Sequence, residues 1–290
     1  MSVWIEIQRN ISQVQGREFV VCDRKSVGGG SINQAYQISD SQHSYFVKLN
    51  QASKVAMFEA EAAGLKEMHA SQSIRVPKPL SWGTAAGQSY IILEWIPFGH
   101  GDTQAWFAMG QQLAAMHRQA HDQGFGWHQN NTIGDTPQRN PWTSNWGEFF
   151  TEHRIHYQLQ LAQRNGGHFR QGDVLLDQSP ALLAHPVTSS LVHGDLWSGN
   201  AAFSQAGEPI ILDPATYYGD REVDIAMTEL FGGFPPAFYQ GYQETWPLAE
   251  GYQQRKILYN LYHILNHFNL FGGGYASQAQ RMIEQVVAMV

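Results

Sequence analysis

Apolar residues at Val3, Ile7, Ile11 and Val14 recur at intervals of three and four, which predicts a leading helix over residues 3–15. Short β-branched or aromatic runs follow at residues 19–22, 32–38 and 45–49, parted by Gly, Ser, Asp and Asn, and predict strands. Residues 53–70 predict a helix with Ser53 as its N-cap. Pro77-Lys78-Pro79 closes this stretch, and residues 80–83 and 90–95 predict two further strands before Pro97. From Thr103 the period becomes helical, through Trp106, Met109, Gly110, Leu113 and Met116 and again through Phe149, Phe150, His153, Tyr157 and Leu161. The loop between these helices carries Trp127, Trp142 and Trp146, either as a substrate wall or as packing for the helices. Residues 255–271 again read as helix, where His263 and His267 stand one turn apart. With apolar neighbours and no third ligand, they read as packed histidines and not as a metal site. Strands first and helices afterwards predict an α+β chain with two lobes, an antiparallel-sheet N-lobe over residues 1–96 and a larger, mainly helical C-lobe over residues 97–290.

The chemistry concentrates in His193-Gly194-Asp195-Leu196-Trp197-Ser198-Gly199-Asn200, followed by the apolar run Pro209-Ile210-Ile211-Leu212 and then Asp213. An isolated H-G-D reads equally well as a turn. Here it is followed by an Asn at 200 − 195 = 5 residues from the Asp, the spacing of the kinase catalytic loop. Phosphoryl transfer to a hydroxyl needs a base for the acceptor and hard oxygen ligands for the metal ions on the triphosphate. Asp195 suits the first task, Asn200 and Asp213 the second. Gly194 stands where protein kinases carry an Arg that reads an activation-loop phosphate, which points to a small-molecule kinase without that switch.

Upstream, Gly28-Gly29-Gly30-Ser31-Ile32-Asn33 lies between two predicted strands, where backbone amides can close over phosphates. It is neither a Walker loop nor a Rossmann fingerprint, and alone it is a common hairpin. Lys48 ends the strand Tyr45-Phe46-Val47 and is placed to neutralise the α- and β-phosphates. Glu59 or Glu61 on the next helix can fix it, with Glu61 preferred. From element order alone, Glu94, Trp95 and Ile96 are the stretch whose backbone would meet adenine. Asp220 and Asp224 open a helix and read as structural, with Asp224 placed to accept amides of the catalytic loop.

Composition narrows the partners. A chain of 290 residues, 43% hydrophobic and 15% charged, is an ordinary folded protein. Its net charge of −7 supplies no basic footprint for nucleic acid or an anionic membrane. Cys22 is the single cysteine, which excludes an intrachain disulfide and a multi-thiolate zinc site. No signal-peptide pattern and no run of roughly 20 apolar residues is visible, so a cytoplasmic protein is expected. Its oligomeric state is left open.

The glycine loop, Met57-Phe58-Glu59-Ala60-Glu61, the stretches Asn131-Thr132-Ile133-Gly134 and Trp146-Gly147-Glu148-Phe149-Phe150, and the catalytic loop with its Trp197-Ser198-Gly199 insert together resemble the fructosamine kinase family over nearly the whole chain. This family is related to aminoglycoside and choline kinases. The resemblance implies a protein-kinase-like fold and ATP- and Mg2+-dependent phosphorylation of the sugar 3-hydroxyl of a ketosamine, on a small amine or a glycated lysine. The phosphorylated adduct then releases the amine, a repair of glycation. It implies Asp195 as base, Asn200 and Asp213 as magnesium ligands, and Lys48 with Glu61 as the phosphate-positioning pair. Several members carry a cysteine in the glycine loop linked to redox control; here Ser31 stands near that place, and Cys22 lies on the preceding strand. A kinase of another hydroxyl, of amino-alcohol or aminoglycoside type, shares every phosphate-handling residue and remains open beside it, as does a nucleotide-binding scaffold without catalysis.

Overall fold

The computed structural model of the chain describes residues 2–28 and 32–289. In chain order the elements are α1 (Val3–Gln15), β1 (Asp23–Val27), β2 (Gln34–Ser39), β3 (Ser44–Gln51), α2 (Val55–Ala70), β4 (Pro79–Ala85), β5 (Gln88–Glu94) and α3 (Thr103–His117). The hairpin β6 (Asn131–Ile133) and β7 (Thr136–Gln138) follows, then α4 (Trp146–Phe150), α5 (Tyr157–Arg164), α6 (Gly172–Leu182) and β8 (Ser190–Val192). Last come β9 (Ala201–Phe203), β10 (Pro209–Ile211), β11 (Tyr217–Gly219), α7 (Glu222–Leu230), α8 (Pro236–Thr245), α9 (Tyr252–Phe271) and α10 (Tyr275–Val287).

Two compact units divide the chain. The first comprises Met1–Ala105 and Gly199–Pro214. Its antiparallel sheet has the strand order β1-β2-β3-β5-β4. Side chains alternate across a strand, so Tyr45, Val47 and Leu49 face one way and bury with Val3, Ile7 and Ile11 of α1. Val27, Ala35, Lys48 and Ile91 stand opposite one another on successive strands and so share the other face. The sequence expectation placed the boundary at residue 96. The compact unit instead runs on to Ala105 and takes in the β9–β10 hairpin, because the hairpin is bonded to it: Ile211 N–H donates to the Arg75 carbonyl at 3.0 Å and Gly99 N–H to that of Phe203 at 2.8 Å.

The second unit comprises Trp106–Ser198 and Ala215–Val290 and is mainly helical. The twenty-residue α9 is its spine, burying Leu258, Leu261, Ile264 and Leu265. A π-helical turn over Thr151–His156 joins α4 to α5. Trp127 and Trp146 are only 2% and 3% exposed, so they are core side chains and not a substrate wall. Most predicted elements recur within a few residues of their expected places. The exceptions lie at the start of the sheet and of α2: β1 has a mostly exposed, non-alternating sequence, whereas the apolar residues 19–22 lie outside any strand, with Cys22 just before β1 and its N–H bonded to the Ser39 carbonyl at 2.8 Å. Ser53 lies in a 3-10 turn, and Lys54 stands at the N-cap of α2 instead.

Candidate active site

Lys48 lies in β3 between antiparallel neighbours on both sides, and is 6% exposed. A buried ammonium needs counter-charges, and it has two. Glu61 on α2 accepts at 2.8 Å, and the carboxylate of Asp213 accepts at Oδ1. Glu59 points outward and is exposed, because positions two apart on a helix face different ways, so Glu61 is the residue that reaches the lysine.

Asp213 follows β10 in the left-handed region, with φ of 58°. A non-glycine residue seldom adopts this conformation, which is concentrated at functional sites. Its side chain is 43% exposed, so beyond Lys48 it remains open to a ligand. Asn200 begins the same hairpin, where its carbonyl accepts from Leu212 N–H at 3.0 Å, and it is 6% exposed. Lys48, Glu61, Asn200 and Asp213 all belong to the first unit.

Asp195 belongs to the second unit, on a loop between β8 and the hairpin. Asp224 in the first turn of α7 fastens this loop by accepting His193 N–H at 2.7 Å and Gly194 N–H at 2.8 Å. Asp195 N–H donates to His193 Nδ1 at 3.2 Å, and His193 carbonyl accepts from Ala215 N–H at 2.8 Å. Behind Asp224, His117 Nε2 lies at 3.0 Å and its Nδ1 meets the Tyr242 hydroxyl at 2.7 Å. Burial by itself would raise the Asp224 carboxyl. The His117 hydrogen bond and charge, with His193, more than offset this and hold it below the usual carboxylate value. Gly194 has φ of 81°, and a Cβ there would run into the Ala215 carbonyl, which is why glycine stands at the place of the kinase arginine.

The remaining predicted residues are less fully placed. Gly28 is exposed beyond β1, and Gly29, Gly30 and Ser31 lie outside the described residues. Glu94 ends β5, and its N–H is bonded to the Lys78 carbonyl at 2.9 Å, so that amide is engaged within the sheet. Its carboxylate holds Arg75 at 2.7 Å, and Arg75 also grips Glu208 at 2.6 Å. Trp95 stacks on Phe46 with ring centroids 6.4 Å apart, and Ile96 is buried at 6% exposure. Phe46 shares the sheet face of Lys48, two residues away, so this stack supplies an apolar surface next to the lysine. Arg75 and His117 act through partners distant in sequence and carry no local signal. Among the described residues one further cluster could hold a metal, His185 with Asp220 and Glu222. Tyr259 donates to Asp220 at 2.6 Å and Arg255 to Glu222 at 2.7 Å, so these carboxylates are already engaged.

An antiparallel sheet with a doubly paired lysine, together with an H-G-D loop fastened to a helical unit, defines a protein-kinase-like fold. The chain belongs to the fructosamine kinase family, whose model matches residues 3–289. It is 58% identical over 283 residues to a protein assigned as a ketoamine kinase in Synechocystis sp., covering 97% of this chain and 96% of the relative. It is 43% identical over 282 residues to a chloroplastic protein-ribulosamine 3-kinase of Arabidopsis thaliana, covering 95% of this chain and 86% of that one. A solved structure assigned as a fructosamine-3-kinase from Haemophilus somnus 129PT superposes with a TM-score of 0.93 at 31% identity, covering 98% of this chain and 97% of that one.

Proposed function

We propose that this protein is an ATP-dependent kinase that phosphorylates the sugar 3-hydroxyl of ketosamines, with Asp195 as the base. The observation that carries the reading is Lys48 held at once by Glu61 and Asp213, a cation positioned for phosphate and joined to a carboxylate suited to a metal. The relatives add the substrate class: a ribulosamine 3-kinase at 43% identity points to a ketosamine and to its third carbon.

In this reading the acceptor O–H gives its proton to the Asp195 carboxylate as the oxygen bonds to the γ-phosphorus, the β–γ P–O bond breaks, and ADP leaves. Lys48, oriented by Glu61, neutralises the α- and β-phosphates. Asn200 and Asp213 offer hard oxygen donors of the kind Mg2+ prefers, and the ion when bound supplies charge neutralisation at the phosphates. Asp224 keeps the loop backbone in place so that Asp195 need not reorganise during the reaction. The phosphorylated ketosamine then sheds its amine, which makes the reaction a deglycation. A cytoplasmic location belongs to the same proposal; among the described residues no helix is long and apolar enough to cross a membrane.

A coupled ADP-release assay over ribulosamines, fructosamines, choline and aminoglycosides tests the reading. Turnover on the ketosamines, with a phosphate at the third carbon of the product, is expected. Turnover confined to choline or aminoglycosides would overturn the substrate class, and ATP binding without turnover on any acceptor would overturn the kinase.

A further inference from the structure

Arg154 is the anomaly of the second unit. It is fully buried, yet it has no carboxylate partner among the described residues. Its guanidinium donates only to neutral groups: the Arg139 carbonyl at 2.7 Å, the His153 carbonyl at 3.2 Å and Asn140 Oδ1 at 2.7 Å. Its Nε has no hydrogen-bond partner among those residues either. The cation lies over the rings of Tyr217 and Phe149, 4.2 and 4.7 Å from their centroids. Burying an uncompensated charge is costly, and the π-helical turn that carries it is itself an uncommon conformation concentrated at functional sites. A structural hydrogen-bonding role could have been filled by a neutral amide. The charge therefore needs an explanation.

The surroundings point to the catalytic loop. Tyr217, beneath the guanidinium, packs so closely on Gly194 that a Cβ there would meet its ring at 3.2 Å. Tyr262 of α9 has its ring centroid 5.8 Å from the Arg154 carbon, and its hydroxyl is acted on by the charges of both Arg154 and Asp195. Polar contacts run the same way. Asn140, held by Arg154, donates to Asn131 at 2.9 Å, and Asn131 donates to the Thr216 carbonyl at 2.8 Å. Gln138 donates to the carbonyl of Ala215, whose own N–H holds the His193 carbonyl.

We propose that Arg154 is a positioning residue for the phosphoryl-transfer base: its buried charge favours the carboxylate form of Asp195, and its hydrogen bonds brace the segment that carries the H-G-D loop. This rests on the assignment of Asp195 as base. The charges facing that loop make the need clear. Asp224 on α7 sets a negative charge against the loop backbone and is hydrogen-bonded from behind by His117 of α3. His263 of α9 is no help, since burial, then the charge of His267, pushes its imidazole down to about 3 and leaves it neutral. Tyr217 and Tyr262 are likewise neutral, their hydroxyls pushed up by burial. His153 and Arg139 face Arg154 from the side of the π turn and the preceding loop; burial, then the Arg154 charge, lowers the His153 imidazole. Of these, Arg154 is the buried permanent cation.

The test is the pH dependence of kcat/KM for a ketosamine at saturating nucleotide and magnesium. The titrations of acceptor and nucleotide are common to all variants and cancel in the comparison. Arg154→Gln removes the charge and keeps donors; its acid limb should move to higher pH by on the order of one unit. Arg154→Lys keeps the charge and should leave the limb in place, even where kcat falls because the planar fork is lost. A folded Arg154→Gln enzyme with an unmoved limb overturns the proposal, as does an Arg154→Lys limb displaced as far as that of Gln. Should Arg154→Gln not fold, Asn140→Asp sets a carboxylate against the guanidinium and carries the same expectation and the same refutation. Normal turnover by Asp195→Asn would instead sink the assignment of the base, whatever the limb does.

Discussion

At position 194 the backbone takes φ of 81°, and the space a Cβ would need is held by the Ala215 carbonyl. Gly194→Ala is therefore expected to cost about 1–3 kcal/mol, seen as a lower thermal midpoint, and to disturb the adjacent base. A variant that melts with the wild type and retains full kcat would show that the loop tolerates the side chain. Asp195 itself is a sharper case. Its replacement by Asn keeps the size and removes the proton acceptor, so kcat should fall by roughly 10²–10⁴-fold, with nucleotide affinity by calorimetry nearly unchanged. Normal turnover in that variant would remove Asp195 from the mechanism. Asp213 is the other residue of the proposed site with a left-handed backbone: its φ of 58° places an aspartate where glycine would be easier, and its carboxylate is the one that meets Lys48.

Among the elements, α9 shows how a packed helix stores a pH response. His263 is buried there with no hydrogen-bond partner for Nδ1 among the described residues, and its imidazole is pushed down to about 3 because burial, then the charge of His267, disfavours the protonated form. An unfolded histidine titrates near 6.5, so between these values the unfolded chain binds a proton that the folded one does not. Stability falls as pH drops through that window, by about 1.4 kcal/mol per unit. His263→Leu should flatten urea-derived stability between pH 6 and 4 by about one proton; an unchanged slope would place the titrating group elsewhere. The same helix explains what a linear reading can see. Its apolar period was legible, and with it the packing of His263 in the interior. The sheet was legible where strands alternate, as at Tyr45, Val47 and Leu49, and illegible at β1, whose side chains are mostly exposed and carry no period. For Trp127 and Trp146 the sequence left a substrate wall and helix packing both open, because a tryptophan in a loop carries no sign of which side it buries; their burial decides for packing. Asp224 was readable from its place in the first turn of a helix, whereas Arg154 was not, since what marks it out is the lack of a counter-charge among the described residues, a property of three-dimensional surroundings.

For the molecule as a whole, the proposed functional groups divide unevenly between the two compact units. Lys48, Glu61, Asn200 and Asp213 belong to the one with the sheet, and Asp195 with its anchor Asp224 to the helical one. The sequence passes from the second unit to the first between Ser198 and Gly199, within the very motif that recommended the chain as a kinase. Nucleotide handling and acceptor activation should therefore be separable by mutation. A ligand that binds only the folded state stabilises it by RT ln(1 + [L]/Kd), about 2.7 kcal/mol at a hundredfold excess over Kd. Wild type and Asp195→Asn should show this upward thermal shift with Mg-ATP, because neither lacks a phosphate or metal group. Asp213→Asn should lose most of it, and the loss should be larger with magnesium than with chelator, since the missing carboxylate is the one offered to the ion. Lys48→Met should lose it with and without magnesium alike, because Glu61 and Asp213 are then left as paired anions facing the phosphates. Equal Mg-ATP shifts in wild type and Asp213→Asn would detach that residue from the metal and leave nucleotide binding in the sheet unit to Lys48 and Asn200.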